Sequence, residues 1–249
     1  MRNTALYRSV LIVGVLVFAS YAGAQTTDDT KLAHAAEVLN DFTANEEEAI
    51  PAQLLERAYG VAVIPNVVRG GFFLGGRRGR GVLSVRSANG EWSNPAFITL
   101  TGGSIGWQFG AESADVVLVF ANERSVRNIE SGKFTLGGDA TAVAGPLGRR
   151  STKAVTFKSE VYVYARSRGL FAGAAFEGAR LDIDQDGSAR FYRAPARPLE
   201  APSAGTPASV RPFFDVLNRA ALAAAAPPPA HGDSRSSAEP EEAVTFPLE

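Results

Sequence analysis

The residues that do chemistry in most enzymes are nearly missing here. The chain has two histidines, His34 and His231, and no cysteine. A cysteine nucleophile, a thiolate zinc site and a disulfide framework are therefore excluded. A catalytic triad would have to use His34, which falls in an alanine-rich acidic arm, because His231 falls in a polar tail. The run Asp182-Ile183-Asp184-Gln185-Asp186-Gly187 copies the start of a calcium loop. Its twelfth position is Arg193, where such a loop needs a bidentate glutamate, so an acidic hairpin turn is the expected structure. Gly75 to Gly81 and Gly145 to Lys153 are glycine-rich but match no nucleotide P-loop. No enzyme activity, no metal and no cofactor are expected.

Two basic clusters remain. Arg77, Arg78 and Arg80 stand among glycines, and Arg149, Arg150 and Lys153 follow Gly145 and Gly148. Small residues let a phosphate approach backbone N–H groups, and arginine supplies paired donors to it. Read as loops, the clusters suit anionic phospholipid headgroups at a membrane surface. The competing reading is two solvated turns whose charge balances an acidic arm. Nucleic acid does not fit, because Trp92 and Trp107 are not interleaved with these arginines.

The elements that must carry these clusters follow from charge and glycine content. Of 249 residues, the first 24 read as a secretory signal peptide. Arg2 and Arg8 precede the apolar run Val10–Ala19, and Ala22-Gly23-Ala24 offers the cleavage site. An uncleaved anchor is the alternative. The mature chain is expected to be secreted or periplasmic, with peripheral membrane association. Residues 25–59 hold two basic and eight acidic residues, whereas 60–193 hold 17 basic and 11 acidic. Twenty-one of the 25 glycines lie in 60–193, and ten of the 14 prolines lie after Arg193. The chain thus divides into an acidic arm (25–59), a glycine-rich body (60–193), a linker with a helix (194–224) and a disordered tail (225–249).

Leu32, Ala35, Ala36, Leu39 and Phe42 recur at helical spacing, and a short helix starts at Pro51. The body reads as strands: Val61–Ile64 ended by Pro65, Gly70–Leu74, Gly81–Val85, Phe97–Leu100, Ser104–Phe109, Val116–Phe120, Val161–Ala165 and Leu170–Phe176. A hairpin turn is expected at Asn89-Gly90. Val116–Phe120 does not alternate, which fits burial on both faces. One helix interrupts the series, capped by Asn122 and closed by Gly132. A last hairpin is expected to pair Arg180–Ile183 with Ala189–Tyr192. Val210, Phe213, Phe214, Leu217 and Ala221 line one face of a terminal helix. Paired glycines within strands point to closely packed, strongly bent sheets. The fold class is α+β: a glycine-rich, strongly bent β-sheet core with flanking N- and C-terminal helices.

Ordered motifs then resemble a known family. Ala58-Tyr59-Gly60 through Pro65, followed by Gly70-Gly71-Phe72-Phe73-Leu74-Gly75-Gly76, resembles the opening of the SYLF domain, also called the Ysc84-type actin-binding domain. The similarity continues in Trp92 to Phe97, Gly106 to Gly110, Gly145-Pro146, Gly169 to Gly173 and Phe191-Tyr192. It spans about residues 29–220. The resemblance implies lipid binding on a mixed α/β fold without catalysis, with phosphoinositides as partners of eukaryotic members and actin as a further partner of yeast members. An exported chain argues against actin as its own partner. A second function also fits, an envelope module that binds protein without a direct lipid ligand.

Overall fold

The computed structural model describes residues 27–45, 49–70, 74–87, 89–105, 112–132, 134–148, 159–167, 170–171, 176, 178–193, 199–200, 202 and 206–223. The expected leader and tail lie outside the described residues, as do Arg149, Arg150 and Lys153. Helix α1 (residues 27–44) takes the arm, and Leu32, Ala35, Ala36, Leu39 and Phe42 are all buried. Ile50 N donates to Phe42 O at 2.8 Å, which ties the end of α1 to helix α2 (Ala52–Glu56).

Among the described residues nine strands follow in one sheet: β1 (Gly60–Gly70), β2 (Leu74–Val85), β3 (Ala96–Ile105), β4 (Glu112–Phe120), β5 (Phe134–Thr135), β6 (Ala142–Ala144), β7 (Val161–Ser167), β8 (Leu170–Phe171) and β9 (Arg180–Ile183). Helix α3 (Glu123–Glu130) lies between β4 and β5, and α4 (Gln185–Tyr192) and α5 (Arg211–Leu222) follow β9. The strand order is β5-β9-β3-β2-β1-β4-β7-β6, with β8 on the end of β7. Every pairing is antiparallel except β6 with β7.

Side-chain alternation divides the interior into two layers. Val61, Val63, Val82, Val117, Val119 and Tyr164 face out, under the apolar faces of α1, α2 and α5. Ala62, Ile64, Leu83, Val116, Leu118 and Phe120 face in, toward Val126 and Ile129 of α3. Strand β4 is thus buried on both faces, as its unbroken apolar run requires. The sheet curls strongly into a half-barrel. β5 and β4 stand five positions apart in the strand order. On a flat sheet that is about 24 Å at the usual ~4.8 Å spacing. Yet the rings of Phe120 and Phe134 meet edge to face at 5.7 Å between centroids. Residues 136–141 alone lead from β5 on one margin to β6 on the other. Glu160 fastens that join: its carboxylate accepts from Thr141 N and from Asn122 Nδ2, each at 2.9 Å.

Several sequence expectations hold. Asn122 Oδ1 accepts from Ser125 N at 2.9 Å as the cap of α3, and Gly132 closes that helix at φ 69°. Gly90 turns the β2–β3 connection at φ 88°. Others need correction. β1 does not stop at Pro65. A bulge between Ile64 and Val67 absorbs the proline, which can donate no ladder bond. Asn66 takes φ 49° there, and its N–H donates to Asp115 Oδ1 at 2.9 Å.

Residues 75–80 are no loop between two strands but the first half of β2, all paired with β3 and, at 76–78, also with β1. Gly79 and the adjoining Gly81 answer a close approach of neighbours. A Cβ on Gly79 would lie 2.7 Å from Ile64 Cγ2, and one on Gly81 would overlap the carbonyl oxygen of Val63. β3 is one strand across Gly102-Gly103, and the remainder of the expected 104–109 strand lies outside the described residues. The last hairpin is absent: residues 185–192 form α4. Asp184 caps it, its Oδ1 accepting from Gly187 N at 2.8 Å, so the Asp-Gly pair begins a helix rather than a turn.

Candidate functional site

Strand geometry splits the first basic cluster. Arg78 and Arg80 share the outer face of β2 with Val82, and Arg77 points to the inner face. Val82 is buried under the helices, but toward Leu74 the outer face emerges from their cover and Arg78 and Arg80 are exposed. Neither makes an ion pair with a described residue. Arg77 is half-buried, its guanidinium carbon 5.3 Å from the centroid of the Phe176 ring. It therefore leaves the set of candidate surface contacts. Val68, the β1 neighbour of Arg78 in the ladder, is 50% exposed.

A groove of about 330 Å³ runs between α1 and this part of the sheet. Its lining is Lys31 and His34 from α1, Pro65 and Asn66 from the β1 bulge, and Arg78, Gly79 and Arg80 from β2. Lys31 Nζ donates to Asp28 Oδ1 at 2.7 Å and stands 5.8 Å from the centroid of the Phe97 ring. Asn66 Oδ1 accepts from Ser113 Oγ at 3.3 Å. The lining carries ammonium, imidazole, guanidinium and amide groups and no hydroxyl or carboxylate, a donor set suited to holding an anion. Sequence reading placed Lys31 and His34 in a separate acidic arm. Their helical spacing of three was visible, but their partner strand was not.

The acidic run of the expected calcium-like loop is dispersed. Asp182 accepts from Arg180 Nε at 2.8 Å, and Asp184 is occupied in capping α4. Among the described residues no group of three or more acidic or imidazole side chains is arranged to hold a metal.

Three further polar side chains are structural, and sequence reasoning missed them. Arg86 stacks 4.2 Å from the Trp92 ring centroid. It donates to the carbonyls of Leu55 and Ala58 at 3.2 Å and of Gly90 at 3.0 Å, which closes the end of α2. Burial lowers its pKa, partly opposed by Glu56. Tyr164 Oη donates to Pro146 O at 3.1 Å and Tyr192 Oη to Pro95 O at 2.8 Å. Burial raises both phenol pKa values well above the usual range, for Tyr164 with help from Tyr162.

Fold and groove together define an α+β domain on one curled sheet, clad by helices on its outer face and carrying cations on its central strands. Residues 101–220 match the family model Ysc84, described as "Las17-binding protein actin regulator". The chain is 37% identical over 166 residues to SH3 domain-containing YSC84-like protein 1 of Xenopus laevis, covering 64% of this chain and 49% of that protein. It is 37% identical over 168 residues to Protein YSC84 of Saccharomyces cerevisiae, covering 64% and 36%. The human YSC84-like protein 1 is 32% identical over 194 residues, covering 74% and 56%. No solved structure gives a significant match. Residues 101–220 thus carry a Ysc84-family domain match. The chain spans about half the length of the curated relatives it matches.

Proposed function

We propose that this protein is a non-enzymatic module that docks on anionic phospholipid headgroups at the cell envelope, with Arg78 and Arg80 as its anchoring contacts. One observation carries the reading: two exposed arginines without described ion-pair partners stand side by side on the outer face where the sheet leaves its helical cover. A surface that kept such charges only for solubility would intersperse them with acids. The second basic cluster, Arg149, Arg150 and Lys153, remains a separate candidate contact. The leader expected at residues 1–24 would place the chain outside the cytoplasm.

Vesicle flotation tests the reading. Binding should grow with the anionic lipid fraction and fall with salt. Each basic side chain near an anionic surface contributes about 1 kcal/mol, so Arg78→Glu with Arg80→Glu should weaken binding by well over tenfold. Equal flotation on neutral vesicles would sink it. A second reading, a protein-interaction module, is favoured by the family description as a Las17-binding actin regulator. It predicts a protein partner in pull-downs and no flotation.

A further inference from the structure

The β2–β3 turn is closed by two backbone bonds. Ser87 N donates to Glu91 O and Gly90 N to Ser87 O, each at 2.9 Å, with Gly90 at φ 88°. Within that frame the exposed side chain of Asn89 is gripped at both ends of its amide. Its Oδ1 accepts from Ser87 Oγ and, at 3.3 Å, from Glu91 N, while its Nδ2 donates to Glu91 Oε2 at 2.8 Å. The Ser87 hydroxyl also reaches Glu91 O at 2.9 Å, but that carbonyl already holds the Ser87 N–H, so the hydroxyl hydrogen can serve Asn89 Oδ1. Two donors on a carbonyl oxygen stabilise negative charge gathering there, as an oxyanion hole does. Of the nine asparagines in the chain, Asn89 alone precedes a glycine, whose nitrogen no Cβ screens.

We propose that Asn89 is a self-modifying site, where the Gly90 nitrogen attacks the polarised Asn89 amide and water then leaves aspartate or isoaspartate. The inference is independent of the membrane reading. Hydroxide takes the Gly90 amide proton, at the cost of its bond to Ser87 O, which lies at an exposed turn where water can replace it. A bond forms from Gly90 N to Asn89 Cγ, and charge gathers on Oδ1 between its two donors. The Cγ–Nδ2 bond then breaks, and Nδ2 takes a proton from water and leaves as ammonia. A further water opens the cyclic imide at either carbonyl. In sum one water enters, one ammonia leaves, and nothing is oxidised or reduced. The isoaspartyl product routes the main chain through Cγ and so inserts a methylene beside Gly90. Gly90 O then leaves Arg86 Nη1, which it now meets at 3.0 Å. The Arg86 guanidinium, stacked on Trp92, thereby loses one of its three carbonyl anchors. Either product also sets a carboxylate beside Glu91, at the rim of a groove of about 710 Å³ that Ser87 and Gly90 line together with Arg57, Tyr59 and Arg86.

The test incubates the purified full chain at about pH 6 and pH 8 and follows Asn89 by peptide mapping with an isoaspartate-specific assay. Conversion should be concentrated at Asn89 and faster at the higher pH, because hydroxide is the base. Asn89→Gln should stop it, since ring closure through one more methylene is slower. Ser87→Ala should slow it roughly fivefold, the rate equivalent of one hydrogen bond, and Ser87→Thr should restore it. The sign is decisive, because a hydroxyl that only stiffens the turn would make Ser87→Ala faster than wild type. Aged wild type, but not aged Asn89→Gln, should melt below fresh protein as the Arg86 anchor is lost. Circular dichroism confirms the fold of each variant. No conversion at Asn89, conversion spread evenly over the asparagines, or an unchanged or faster rate in folded Ser87→Ala would overturn the proposal. An unchanged melt in converted protein would overturn the link to Arg86.

Discussion

At the scale of single residues, the close approaches and buried hydroxyls set the stability. A Cβ on Gly81 would overlap the Val63 carbonyl oxygen, which is backbone and cannot rotate away. Gly81→Ala should therefore cost more than about 2 kcal/mol in chemical denaturation, whereas Gly76→Ala meets nothing within 4 Å and should cost little. Buried Tyr164 and half-buried Tyr192 give a pH prediction. Their pKa values are raised in the folded state, so the unfolded chain ionises first as pH climbs through about 10. The unfolded state then holds fewer protons, and stability falls above that pH by up to about 1.4 kcal/mol per unit for each group. Tyr164→Phe should remove part of this alkaline loss in melts between pH 9 and 11. The same variant loses the bond to Pro146, which should cost about 1 kcal/mol at pH 7.

At the scale of elements, α4 shows how a helix can be held by its first turn. Asp184 caps it, and Ser188 Oγ accepts from the buried N–H of Phe97 on β3 at 3.0 Å. Ser188→Ala would leave that N–H without its partner and should destabilise by about 1–3 kcal/mol, read as a lower denaturation midpoint. Asp184→Ala should cost about 1 kcal/mol as a lost cap. These residues also explain which elements were legible. α1, α3 and α5 announce themselves because one face of each is apolar at the helical period, and β4 because its run has no polar side. β2 and α4 do not. Gly75 to Arg80 has the composition of a loop, and only pairing with β3, and at 76–78 also with β1, makes it a strand. Asp184 to Gly187 has the composition of a turn, and the same aspartate that would open a turn caps a helix. The candidate site was half legible for that reason. Arg78 and Arg80 were visible as cations, but assigning them to a loop hid both the inward turn of Arg77 and the approach of Lys31 and His34.

On the scale of the whole molecule, the curl of the sheet also sets an order of assembly. β9 lies between β3 and β5, although both precede it by at least 45 residues in the chain. Until Arg180–Ile183 has been delivered, the outer ladder of β3 has no partner from its own chain. Such an edge is a template for a second copy. A chain that emerges N-terminus first therefore carries an open edge from the end of β3 at Ile105 until β9 begins at Arg180. Its need for a holding chaperone is greatest just before Arg180–Ile183 is delivered. Chains ended before Arg180 should sediment as aggregates, whereas the full chain stays dispersed. The closing strand thus acts as a quality check, since only a polypeptide that has been made beyond Ile183 can hide the surface that would otherwise join it to its neighbours.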